Sequence, residues 1–165
     1  MSKLPDCGLY RTVQPIGSIP AGRLVYFHNH GDPGPGFYFP EAWAHNRARF
    51  GAKGTTAPAD LDARALRRLP AEGFYRVAAP FHCCEKKCVR YEIDALVQLG
   101  YNGTGQALVF TPEVGAAGVT LPERGTVVDD AAFANLVQLK VNDTGAKDDH
   151  GGGNAISMPR GIIFH

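Results

Sequence analysis

Apolar positions along the chain come in short bursts, and most bursts end at glycine or proline. Residues 22 to 30, GRLVYFHNH, are rich in β-branched and aromatic side chains and predict a strand. GDPGPG then enforces a turn, and FYF at 37 to 39 predicts the returning strand, giving a hairpin-like unit with a long, stiffened loop. Past Phe74 the texture is again that of strands. FYRVAAPFH predicts a strand bent near Pro80, Val89, Tyr91 and Ile93 alternate, and LVQLGYNGTGQALVF predicts strand, NGTG turn and strand.

Two segments between these follow helical spacing instead. Pro40 suits a helix start, Glu41 complements the N-terminal dipole and Gly51 suits a C-terminal cap. Trp43 and Phe50, seven residues apart, would anchor one face, so a helix is predicted over about residues 41–50. Asp60 would cap a second, over about 60–69, with Leu61, Ala65, Leu66 and Leu69 as its apolar stripe before Pro70. The expected architecture is one α+β domain over residues 1–146, a mainly antiparallel β barrel or curled sheet carrying one or two short helices. Residues 147–165 read as a Gly-rich C-terminal tail with an apolar end, GIIF. LVQLGYNGTG at 96–105 is echoed by LVQLKVNDTG at 136–145, but the flanks differ, which favours two strands converging on similar turn residues over a true repeat.

Composition narrows the class. The 165 residues suffice for one hydrophobic core, and 44% apolar with 20% charged residues is ordinary for a globular protein. The longest apolar runs, LVYF and ALVF, are far too short to span a bilayer, so no membrane role is expected. Pro5, Asp6 and Gly8 interrupt the place where a secretory signal would carry its apolar core, which predicts a cytoplasmic location and reduced cysteines. Residues 1–90 hold 13 Lys/Arg against 7 Asp/Glu, and residues 91–165 hold 4 against 9. Interleaved halves would cancel this imbalance at the surface, and no strong nucleic-acid signal results.

Chemistry concentrates in FHCCEKKC at 81–88, which holds three of the four cysteines. Thiolates and neutral imidazoles are the usual zinc ligands, and a structural site needs four of them. Adjacent strand residues point to opposite faces, so His82, Cys84 and Cys88 form the plausible set and Cys83 does not join it. The fourth ligand would come from HNH, where His28 and His30 project to one side of a strand, or from Cys7. Paired CxxC knuckles are missing, which favours the plainer alternative of thiols packed as small hydrophobes, and thioredoxin-like redox chemistry lacks its spacing for the same reason. A Cys/His hydrolase would need a thiol beside a base and an oxyanion hole, and neither can be placed along the chain.

Gly22, five residues, then His28 and His30 resembles the opening of the cupin metal motif. The resemblance covers nine residues. The glutamate that should follow stands as Gly34 or Pro35, and the later cupin histidine has no convincing counterpart, so no cupin function is implied. The GDPGPG loop between Tyr26, Phe27 and Phe37, Tyr38, Phe39 offers an aromatic-flanked recognition surface instead. The expectation is therefore a cytoplasmic non-catalytic interaction or structural protein, a subunit of a larger assembly with a protein partner or a second copy of itself; a structural zinc at these ligands is the metal-bound version of that reading, and packed thiols without a cofactor are the plainer one. The alternative is a metal-dependent enzyme built on His28 and His30, with or without His82 and the cysteines.

Overall fold

The computed structural model describes residues 3–31 and 33–142. Two five-stranded antiparallel sheets dominate it. In the first, β1 (Gly8–Thr12) and β2 (Leu24–His28) are central, flanked by β3 (Gly36–Tyr38), β6 (Thr55–Thr56) and β7 (Leu66–Arg68) in the order β6-β3-β2-β1-β7. The second runs β15-β12-β11-β8-β16, built from β8 (Gly73–Val77), β11 (Leu96–Tyr101), β12 (Ala107–Phe110), β15 (Thr126–Val128) and β16 (Leu136–Gln138). Among the described residues each sheet ends in two edge strands, so the expected barrel is not closed, and β13 (Glu113–Gly115) and β14 (Gly118–Thr120) form a separate hairpin.

Strand parity explains the packing. Leu9, Leu24 and Tyr26 point from the first sheet into a core shared with Val77, Val97, Leu99, Tyr101 and Val109 of the second. Tyr10, Val25, Phe27 and Phe37 point the other way, into a second cluster closed by Ile16, Ile19, Leu61, Ala65 and Leu66. A strand buried on both faces needs no polar alternation, which is why LVYF reads as a continuous apolar run. The Leu24 amide donates to the Gly103 carbonyl at 2.9 Å, and Arg11 donates to the Gly105 carbonyl at 3.2 Å, stitching the first sheet to the β11–β12 turn. Asp130, between Arg11 and Arg67, adds charge pairing to that seam.

Neither expected α-helix forms. Residues 41–50 make a hairpin of β4 (Pro40–Ala44) and β5 (Arg47–Phe50), joined through His45 and Asn46 at φ 52° and 64°. Two successive left-handed residues are the mark of a tight hairpin turn, and asparagine tolerates that conformation well. Tertiary bonds override the helical spacing: the Trp43 indole donates to the Tyr101 carbonyl at 2.8 Å, and the Asn46 side-chain Nδ2 donates to Gln98 Oε1 at 3.1 Å and to the Pro122 carbonyl at 2.9 Å. Trp43 is consequently an exposed strand residue rather than a helix anchor. Over 60–69 the helix shrinks to one 3-10 turn, Ala63–Ala65, capped by Asp62 rather than Asp60, whose side chain accepts from the Arg64 amide at 2.9 Å. Leu66 then enters β7 and pairs with Thr12. The apolar stripe was a core signal, but the edge of β1 recruits it as a strand.

The two LVQL strings lie on either side of β8, in registers that differ by one residue. Leu96 and Val137 both face Arg76, whereas Val97 and Gln138 both face Tyr75. The same letters therefore present opposite faces: Val97 is fully buried and Val137 is 45% exposed. Positions 136–138 are no structural repeat of 96–98, and residues 143–145 of the second string lie outside the described residues, as does the tail from 147 to 165.

The β4–β5 turn presses on β11 at Gly100, where a Cβ would stand 2.6 Å from the Asn46 carbonyl oxygen. Gly100→Ala must push the hairpin away, and a cost of about 1–3 kcal/mol is expected from such overpacking. Urea midpoints of the two proteins measure it. A variant as stable as the parent would mean that the hairpin is not held against the sheet.

Candidate metal centres

The β1–β2 ladder pairs Gly8 with Phe27, so one step further along Cys7 lies opposite His28. Cross-strand neighbours at such a position approach closely, and Cys7 Sγ stands 3.2 Å from His28 Nδ1. His30, two residues on, projects to the same side and brings its Nδ1 to 3.7 Å from the same sulfur. A tetrahedral zinc with Zn–S about 2.3 Å and Zn–N about 2.0 Å separates sulfur from nitrogen by about 3.5 Å. The two observed separations bracket that value. All three donor atoms lie within 4.8 Å of one another.

Asn29 frames this group. Its backbone amide donates to Cys7 Sγ at 3.3 Å, and its side-chain Nδ2 donates to the Pro5 carbonyl at 3.2 Å. That second bond orients the amide, leaving Oδ1 facing inward, 3.2 Å from Cys7 Sγ and 2.7 Å from His30 Nδ1. His28 is only 4% exposed, Cys7 is half-buried and His30 is exposed. The group thus grades from a buried floor to a solvent edge.

A second group forms where β9 (Phe81–His82) and β10 (Arg90–Tyr91) pair as a two-stranded ribbon. The Cys83 amide donates to the Val89 carbonyl and the Lys87 amide to the Cys84 carbonyl, both at 2.9 Å, with Lys87 in a left-handed turn at φ 55°. This folds the loop tightly enough to collect the sulfurs of Cys83, Cys84 and Cys88 within 4.8 Å of one another. Cys83 and Cys84 Sγ are 3.5 Å apart, and the Val89 amide donates to Cys83 Sγ at 3.3 Å. A hydrogen bond from Cys83, then amide bonds from Lys86 and Cys88, hold the Cys84 thiol below its usual range. The adjoining negative charge of Cys84 in turn pushes Cys88 up. All four cysteines are free.

The residues singled out from sequence are divided between these places. His28 and His30 meet Cys7, whereas Cys84 and Cys88 meet Cys83. His82 sits on β9 opposite Arg90 and belongs to neither group. The five residues His28, His30, His82, Cys84 and Cys88 do not gather as one set among the described residues. Cys83, set aside by strand alternation, joins Cys84 and Cys88 because the chain leaves the strand after His82 and turns. Lys86 and Lys87 followed by Cys88 gave no signal of the turn that reverses its direction. Family models, curated proteins and solved structures were all compared with this chain, and none matches it.

Proposed function

We propose that this chain is a non-catalytic β-sheet protein in which zinc, held by Cys7, His28 and His30, clips the N-terminal segment to the end of β2, and whose second sheet serves a protein partner. The carrying observation is the pair of sulfur–nitrogen separations, 3.2 and 3.7 Å, around the tetrahedral value. The Asn29 backbone amide, which donates to Cys7 Sγ at 3.3 Å, would spread the charge of a bound thiolate and supports a fixed, structural role. The partner surface rests on Leu96 and Val137, exposed apolar side chains that flank Arg76 from either side of β8, and on exposed Leu139 just past β16. Four free cysteines fit a reducing compartment, and cytoplasmic location is part of this reading.

A metal-dependent enzyme is the second reading, favoured by the exposure of His30. An ion open to water on that side would have the three protein ligands and labile position of a catalytic zinc. The two readings diverge in what the metal does for stability.

Metal analysis and thermal melts of the full chain, purified under reducing conditions, test this. Wild type is expected to carry zinc and to lose a few degrees of Tm on chelation, while Cys7→Ser carries one equivalent less and no longer responds to chelator through this site. Unchanged zinc content in Cys7→Ser, or melts indifferent to chelator in the wild type, would overturn the clip. Zinc loss in His30→Ala without any change in Tm would favour the enzyme.

A further inference from the structure

We infer that the 83–88 loop is a separate site for a soft, thiophilic monovalent metal ion of the Cu(I) class, bound by the sulfurs of Cys83, Cys84 and Cys88. Three sulfurs converge there, and no imidazole or carboxylate among the described residues joins them within the same distance. Structural zinc takes four protein ligands, whereas purely sulfur sets of lower number suit soft ions. Metal–sulfur bonds of about 2.3 Å in a planar three-sulfur set put the sulfurs about 4 Å apart. That lies between the 3.5 Å of Cys83 and Cys84 and the 4.8 Å bound on the whole group.

The scaffold is prepared for thiolates. The Val89 amide already points at Cys83 Sγ, and amide bonds to sulfur spread the negative charge that bound thiolates carry. The ribbon of β9 and β10 fixes both ends of the loop, so binding orders little that is not already ordered. Lys86 and Lys87, in the same loop, oppose the excess negative charge of three thiolates around one monovalent cation. The burial gradient gives the site a direction: Cys83 is buried, Cys84 half-buried and Cys88 exposed. An incoming ion meets Cys88 first, and the thiol protons leave to solvent as the sulfurs bind, with no change in oxidation state.

Anaerobic titration of the reduced full chain with Cu(I), against a chromophoric Cu(I) chelator, reads the affinity. One ion per chain is expected at this loop, with Cys84→Ser and Cys88→Ser each weakening it at least tenfold and His82→Ala, which belongs to neither group, leaving it unchanged. Because Cys88 is exposed, Cys88→Ser should keep the parent circular dichroism, which separates a lost ligand from a lost fold. Cys84→Ser and Cys88→Ser proteins that bind as tightly as wild type would overturn the proposal. So would a loss confined to Cys7→Ser, which would place the ion in the Cys7, His28, His30 group, or displacement of Cu(I) from the loop by equimolar zinc.

Discussion

Tyr101→Ala is expected to cost about 3–5 kcal/mol of folding stability, the range for removing a large aromatic ring from a core. Tyr101 ends β11 fully buried in the core shared by the two sheets. Its hydroxyl donates to the Pro70 carbonyl at 2.6 Å, and its ring meets Phe133 edge-on at 6.4 Å between centroids. Burial pushes the phenol far above its ordinary range, so the group remains a donor throughout the accessible pH range. Tyr101→Phe keeps the ring and strands the Pro70 carbonyl, at about 1–2 kcal/mol. Urea denaturation of the three proteins gives both numbers. An alanine variant within 1 kcal/mol of wild type would contradict a shared, close-packed core.

Glu72 supplies the second large effect, through pH. Its carboxylate is buried beside the β4–β5 hairpin, where the Ala48 amide donates to both oxygens at 3.1 and 3.3 Å. Desolvation outweighs that bond and the neighbouring charges of Arg47 and Arg49, and lifts the carboxyl from 4.5 to about 7. The folded chain therefore keeps a proton that the unfolded chain gives up. This contribution is fully present below about pH 4.5 and is lost as pH rises through about 7, a difference on the order of 3 kcal/mol. Glu72→Gln retains an acceptor for the Ala48 amide and removes the titration. Denaturation at several pH values should show wild type losing stability relative to Glu72→Gln between pH 5 and 8; parallel profiles would mean that the carboxyl titrates normally.

Local chemistry was legible where a residue acts on its neighbours. The β11–β12 hairpin follows from NGTG, whose Asn102 Oδ1 accepts from the amides of Thr104 and Gln106 and stops the strand. The β2–β3 pair likewise follows from aromatic runs around a Gly/Pro loop. Partners distant in sequence were not legible. Trp43 and Phe50 satisfy helical spacing, and only the Tyr101 carbonyl, Gln98 and Pro122 make the hairpin the better answer. The candidate metal residues divide the same way. The shared side of His28 and His30 follows from alternation, while the approach of Cys7 requires knowing that β1 pairs with β2.

The two-sided burial of β2 has a cost in specificity. A strand with one wet face is punished for sliding by one residue, because its apolar set would turn to solvent. Sliding β2 merely exchanges Tyr26 and Phe27 between two apolar clusters, so its interior carries little information about alignment. Alignment must then be written at the ends. At one, the Thr12 hydroxyl accepts from the Arg23 amide and donates to the Pro20 carbonyl. At the other, Gly36 pairs with His28 across the β2–β3 ladder, and β6 presses close behind it, a Cβ at Gly36 standing 3.1 Å from the Thr55 carbonyl oxygen. An ion shared by Cys7 and His28 would lock that same end, acting as a proofreading pin against misaligned strands.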